Sequence, residues 1–88
     1  MTTKDVAAVF TAEGLQPHAW SNGASEVYGW HLHPYHKVLV CVSGSIIFHL
    51  RGEDRELRAG DRLDLLPHTE HAATVGPKGV TCWEAARR

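Results

Sequence analysis

Beyond Gly14 the chain is cut into brief β-branched and aromatic runs by clusters of Gly, Pro, Asn, Asp and Ser. No other feature narrows the fold as much, because this is the punctuation of a small all-β domain rather than of helices. The clusters are Ser21-Asn22-Gly23, Ser43-Gly44, Arg51-Gly52-Glu53-Asp54, Ala59-Gly60-Asp61 and Gly76-Pro77-Lys78-Gly79. Between them lie strand candidates at 15–20, 26–33, 37–42, 45–50, 55–57, 62–66, 71–75 and 80–84. Several alternate as half-buried strands do: Ile46, Phe48 and Leu50 share one face while Ile47 and His49 share the other, and Leu63 and Leu65 oppose Asp64. Many short strands with open edges invite aggregation, so closure into a barrel or a two-sheet jelly roll is expected.

The first residues read differently. Val6, Val9 and Phe10 recur at helical spacing from Thr3 to Glu13, with Thr3 placed as an N-cap and Gly14 as the C-terminal stop. This divides the chain into an N-terminal helix in residues 1–14, packed on a β-barrel in residues 15–88. At 88 residues there is material for one core only. A hydrophobic fraction of 43% with 22% charged residues sets disorder aside.

Charge and cysteine content exclude further classes. Nine Lys and Arg against ten Asp and Glu, without long runs of either sign, leave no footprint for nucleic acid. No stretch approaches the ~20 apolar residues of a membrane span, and the first residues lack a charged segment followed by an apolar run. The expected location is cytoplasmic, with no nucleic-acid or membrane partner. Cys41 and Cys82, flanked by apolar or aromatic residues, read as two buried thiols in a reducing compartment.

Seven histidines in such a chain are the compositional oddity, and His31, His33, His36, His68 and His71 fall in two short clusters. His31 and His33 stand two apart in a strand candidate, so a period of two sends both imidazoles to one face and Leu32 to the other. Two such rings suit neighbouring coordination positions on a transition metal. An H-x-H on its own is equally a polar face on an exposed strand.

The context separates these readings. His31-Leu32-His33 is followed after three residues by Lys37 and after six more by Gly44; later come Gly60-Asp61, Leu66-Pro67-His68 and His71. This resembles the two signature motifs of the cupin family, H-x-H-x3-E-x6-G and G-x5-P-x-G-x2-H, over Gly29 to Val75. The resemblance implies a small antiparallel jelly-roll barrel in which His31, His33 and His71 line the interior as metal ligands. The implied cofactor is a divalent ion such as zinc, iron, nickel or manganese. The chain departs from the motifs at Lys37, where the family has Glu, at Leu66 for Pro, at His68 for Gly and at Val75 for Asn. Lys37 matters most, since an ammonium beside a divalent cation is repelled. Three arrangements follow: three His with water or substrate completing the shell, a Lys37 made neutral by burial, or a site without metal. His36 is a substitute ligand only if Pro34-Tyr35 turns the strand, and His68 is expected to form a turn at positive φ.

The aromatic residues divide by face. Trp20 and Trp83 are expected to fill the core, whereas Trp30 and Leu32 alternate away from the histidines and offer a homodimer face. The reading is a metal-binding small cupin that takes a small anionic molecule in the barrel, with Lys37 as the catalytic group if a reaction follows. The alternative is a metal-free binding or sensor module.

Overall fold

The computed structural model describes residues 3–87. One helix, α1 (Thr3–Ala12), precedes six strands: β1 (His18–Asn22), β2 (Val27–His31), β3 (His36–Leu50), β4 (Glu53–Arg58), β5 (Arg62–Leu65) and β6 (His71–Arg87). The Thr3 side chain, expected as the N-cap, lies outside the described residues. At the other end of α1, Gly14 takes φ 70°, its N–H donates to Thr11 O at 3.0 Å, and Leu15 N–H donates to Phe10 O at 2.9 Å. These two bonds satisfy the Phe10 and Thr11 carbonyls of the last turn and turn the chain back toward the sheet.

All strands pair antiparallel around a long β3–β6 ribbon, and every flanking strand is hydrogen-bonded to one of those two. At one end of the ribbon β1 pairs with Asn22-side register Val80–Glu84 of β6, and β5 pairs with Lys37–Val40 of β3. At the other end β2 lies on the start of β6 and β4 on Ser45–Leu50 of β3. The ribbon therefore belongs to two four-stranded halves, β1-β6-β3-β5 and β2-β6-β3-β4. A shared core of Leu39, Cys41, Ile46, Phe48, Leu57, Leu63, Leu65, Ala73, Val75, Val80 and Cys82 fills the space between them.

The expected turns at Ser43-Gly44 and Gly76–Gly79 lie inside β3 and β6, which correct four strand candidates to two long strands. The physical reason is close backbone approach. A Cβ on Gly44 would stand 2.0 Å from Gly79 O, and both glycines have positive φ, 72° and 79°. Register shifts flank this point, between Cys41 and Ser43 and between Gly44 and Ile46. Bulges at adjacent glycines let the ribbon bend from one half into the other without breaking its pairing. Gly44 is thus a bend within a strand, not the closing residue of a hairpin.

Closure is by packing across the core rather than by an unbroken hydrogen-bonded ring. The flanking strands each pair on one side among the described residues, and the outer edge of β4 is defended by the charges of Glu53, Asp54, Arg55 and Glu56. On the opposite face of the first half, Val6 and Phe10 of α1 are fully buried against Val38, Val40 and Ala85. Alternation explains this: Leu39 and Cys41 face the shared core while Val38 and Val40 face the helix. A strand buried on both faces needs an unbroken apolar run, and Val38 to Val42 supplies it.

Candidate functional site

β2 and β6 bring His31 directly opposite His71 in their ladder. His33 lies two residues past the end of β2, in the connection to β3, so strand period alone does not place it. Its position comes from the next loop: His68 N–H donates to His33 O at 2.7 Å, with His68 at φ 64°. The left-handed turn expected of His68 thus ties the two histidine-bearing segments together. The three rings meet with centroid separations of 5.0 Å (His31 to His33), 4.2 Å (His31 to His71) and 5.2 Å (His33 to His71). One nitrogen from each lies within 4.8 Å of the others.

The donor chemistry of this cluster fits a divalent ion. His31 Nδ1 is 2.7 Å from Gly29 O and His71 Nδ1 is 2.9 Å from Thr69 O. A carbonyl only accepts, so each Nδ1 carries a proton, which leaves Nε2 as the ring atom available to a metal. Burial, then the Lys37 ammonium and the neighbouring imidazoles, hold His33 below the usual histidine range. Burial also lowers His71, against the opposing pull of its Thr69 carbonyl, and His31 and Lys37 lower it further. Neutral imidazoles are what a metal requires. His31, His33 and His71 are the residues that would hold such an ion, each through one ring nitrogen.

Lys37 stands where the motif has Glu, and the structure shows how its charge is met. Its Nζ is 3.1 Å from Glu84 Oε2 and 3.3 Å from His33 Nε2. Glu84 pairs with Leu39 across β3–β6, and the period of two places Lys37 diagonally beside it on the inner face. Both side chains are largely buried, at 13% and 14% exposure. Glu84 is thus the carboxylate that meets Lys37 in the position where the motif has its own Glu. His18 Nε2 approaches the same Glu84 oxygen at 3.9 Å from the solvent side.

These groups border a cavity of about 400 Å³ lined by Trp20, Asn22, Tyr28, His31, Lys37 and Glu84 over a floor that includes Leu39 and Ile46. The Tyr28 hydroxyl donates to Asn22 Oδ1, whose Nδ2 donates to Glu26 Oε2 at 2.7 Å. Burial and the nearby Glu26 carboxylate push the Tyr28 phenol up, with the Asn22 contact opposing them. Glu84, Tyr28 and Asn22 are site residues that sequence reasoning missed. Glu84 had a signal: counting back by two reaches Cys82, so a carboxylate falls on an otherwise apolar inner face.

Two other histidines take different roles. His36 points to Asp64, Nε2 to Oδ2 at 2.8 Å, and is not a fourth ligand. His49 bridges Asp54 and Thr74, at 2.9 Å to each. Trp30 and Leu32 are 46% and 48% exposed, with the Arg51 guanidinium 3.9 Å above the Trp30 ring.

Comparison with known proteins agrees with this architecture. The family model described as an AraC-like ligand binding domain matches residues 21–85. No curated protein matches the chain. Among solved structures, a chain from the DMSP lyases RdDddP and RnDddQII is 28% identical with a TM-score of 0.77, over 84% of this chain and 38% of that one. KdgF from Halomonas sp. is also 28% identical, with a TM-score of 0.66 over 84% of this chain and 70% of its own. A cupin-2 domain protein from Shewanella frigidimarina NCIMB 400 is 15% identical and shares the fold over 100% of this chain and 94% of its own, with a TM-score of 0.73. The chain spans little more than a third of the DMSP lyase chain it resembles. Its six antiparallel strands around a pocketed core and the match across most of its length place it in the AraC-like ligand-binding family, as a small cupin-type domain.

Proposed function

We propose that His31, His33 and His71 hold a divalent metal ion at the rim of the cavity, and that a small anionic molecule binds beside it. The observation that carries this reading is the convergence of three imidazoles within 4.8 Å, two of them fixed through Nδ1 by backbone carbonyls. A bound ion would supply Lewis acidity toward a ligand oxygen. The chain's own residues do the rest. Lys37 offers hydrogen bonds and positive charge to an anionic oxygen, Glu84 holds the ammonium in place, and the Asn22–Glu26 pair fixes the Tyr28 hydroxyl in the wall. Trp20, which lines the same cavity, has a buried Nε1 donor with no partner among the described residues.

The likeness to chains named as DMSP lyases supports a catalytic version of this reading, with Lys37 stabilising developing negative charge. A second reading has its own support. The Lys37 ammonium beside His33 Nε2 suits a metal-free pocket, and the family model is described by ligand binding alone. Elemental analysis of untagged protein separates them. Stoichiometric metal that disappears in a His31→Ala, His33→Ala double variant is the expected result. No metal in either protein after incubation with zinc, iron or nickel assigns the chain to the metal-free sensor class. In the same proposal the chain acts as a homodimer through Trp30 and Leu32, which concentration-dependent sedimentation of a Trp30→Ser variant would test.

A further inference from the structure

Cys41 and Cys82 take no part in the site described above, yet their placement is specific. They are direct register partners on β3 and β6, fully buried, and both belong to the shared core. Cys41 N–H donates to Asp61 O and Cys41 O accepts from Gly60 N–H, both at 2.9 Å, so its backbone groups point away from β6. The two cysteines therefore form a non-hydrogen-bonded antiparallel pair, in which Cα atoms stand about 4.5 Å apart and side chains approach most closely. That lies within the span a disulfide accepts, roughly 4.4 to 6.8 Å between Cα atoms.

The thiols are free in this structure, and each has a defined role within the pair. The contact between the two thiols holds Cys41 below the usual range and, with burial, pushes Cys82 up, while the Cys41 thiol donates to Ser43 O at 3.5 Å. Cys41 is thus the better nucleophile and Cys82 the resolving partner. Trp20, the register partner of Cys82 on β1, and Leu39, which precedes Cys41 by two on the same face, both line the cavity, and the two fully buried thiols lie behind them. The pair lies in the row beside the cavity floor.

We propose that Cys41 and Cys82 are a redox-sensitive modification site, closed to a cross-strand disulfide by hydrogen peroxide entering through this cavity. The Cys41 sulfur attacks one peroxide oxygen, the O–O bond breaks, and a sulfenic acid forms with release of water. The Cys82 sulfur then displaces the hydroxyl from that sulfur, which leaves as a second water, so two thiols lose two electrons and the peroxide gains them. The new bond staples β3 to β6 behind Trp20, which makes the cavity wall responsive to oxidation.

The test uses chelator-treated full-length protein, so that metal chemistry plays no part. After peroxide treatment the protein is unfolded in iodoacetamide and weighed intact. The expected result is a monomer lighter by about 2 Da with neither cysteine alkylated, reversed by dithiothreitol, and a non-reducing peptide map linking the two cysteine segments. Tryptophan fluorescence should shift on oxidation in the wild type and much less in a Trp20→Phe variant. Two alkylated cysteines, an intermolecular dimer, or addition of oxygen to sulfur would each overturn the proposal. Wild-type protein refolded from denaturant in oxidised glutathione provides a second arm that needs no variant to fold. A disulfide formed there but not with peroxide keeps the pairing and overturns the peroxide route; two free thiols in both arms overturn the pairing itself.

Discussion

The two halves of the sheet share β3 and β6 but are built to different ends. In β1-β6-β3-β5 the ribbon is buried on both faces, with the core on one side and α1 on the other. In β2-β6-β3-β4 the inner face packs on the same core, while the other side of the ribbon carries His49 in a polar chain to Asp54 and Thr74. Yet the histidine cluster grows from the second, less covered half, and Lys37 and Glu84 reach it from the first. The difference teaches a division of labour. The doubly buried half anchors the ribbon, and the singly buried half carries His31 and His71 with fewer packing contacts behind them.

This contrast breaks most severely if the anchor is removed. Phe10→Ala deletes a fully buried ring from beneath the sheet and is expected to cost about 3 to 5 kcal/mol, whereas Leu66→Ala, at a position 61% exposed, should stay within roughly 0.5 kcal/mol. Chemical denaturation of both variants checks the pair, and comparable losses would contradict the anchoring role of α1. Next in size is Gly44→Ala at the bend. Its methyl would meet Gly79 O at 2.0 Å with φ already at 72°, so the left-handed backbone cost of about 1 to 2 kcal/mol adds to a backbone clash. A total loss above about 2 kcal/mol is expected in the same assay. A neutral outcome would mean that the two halves do not depend on this close approach.

How much of this was legible in the chain depends on the range of the interaction involved. Alternation and turn residues carried the all-β jelly roll, since both act within a few residues. They failed at Gly44 and at Gly76 to Gly79, because a glycine in a turn and a glycine at a bend under a crossing backbone leave the same mark. The cluster was legible through motif spacing, although His33 reaches it from outside β2 by a loop contact that periodicity does not encode. Glu84 was the costliest omission. It lies far along the chain from Lys37, and only the β3–β6 register makes them neighbours.

That ion pair supplies the next prediction, at the seam between the halves. Glu84→Gln removes the carboxylate from a largely buried ammonium and should destabilise the fold by roughly 1 to 3 kcal/mol. It should also weaken metal uptake, because Lys37 then bears on His33 without a counter-charge. Lys37→Glu should strengthen uptake. Titration of each variant with zinc orders the three proteins, and identical affinities would show that the pair does not govern the site.

The smallest expected effect lies on the anchored half, far from the cavity, where Arg62 bridges Glu13 beyond α1 and Asp64 on β5 while Arg87 also reaches Glu13. The Arg62 hydrogen bond is the main cause that holds both carboxyls below their ordinary values of 4.5 and 3.8. A carboxyl depressed in the folded state stabilises it above the unfolded pKa, and that contribution drains away as pH falls through the folded one. Stability should therefore decline from about pH 5 downward, modestly, because these side chains are partly exposed and solvent screens them. Replacing Arg62 by Ala removes the largest cause of the depression, so the variant's melting temperature should follow pH less steeply below about pH 5 than the wild type's. High salt should flatten the wild-type curve in the same direction. Parallel curves in all three conditions would mean that the helix is held to the sheet by Val6 and Phe10 alone, and that the charges at its end are incidental to the anchor.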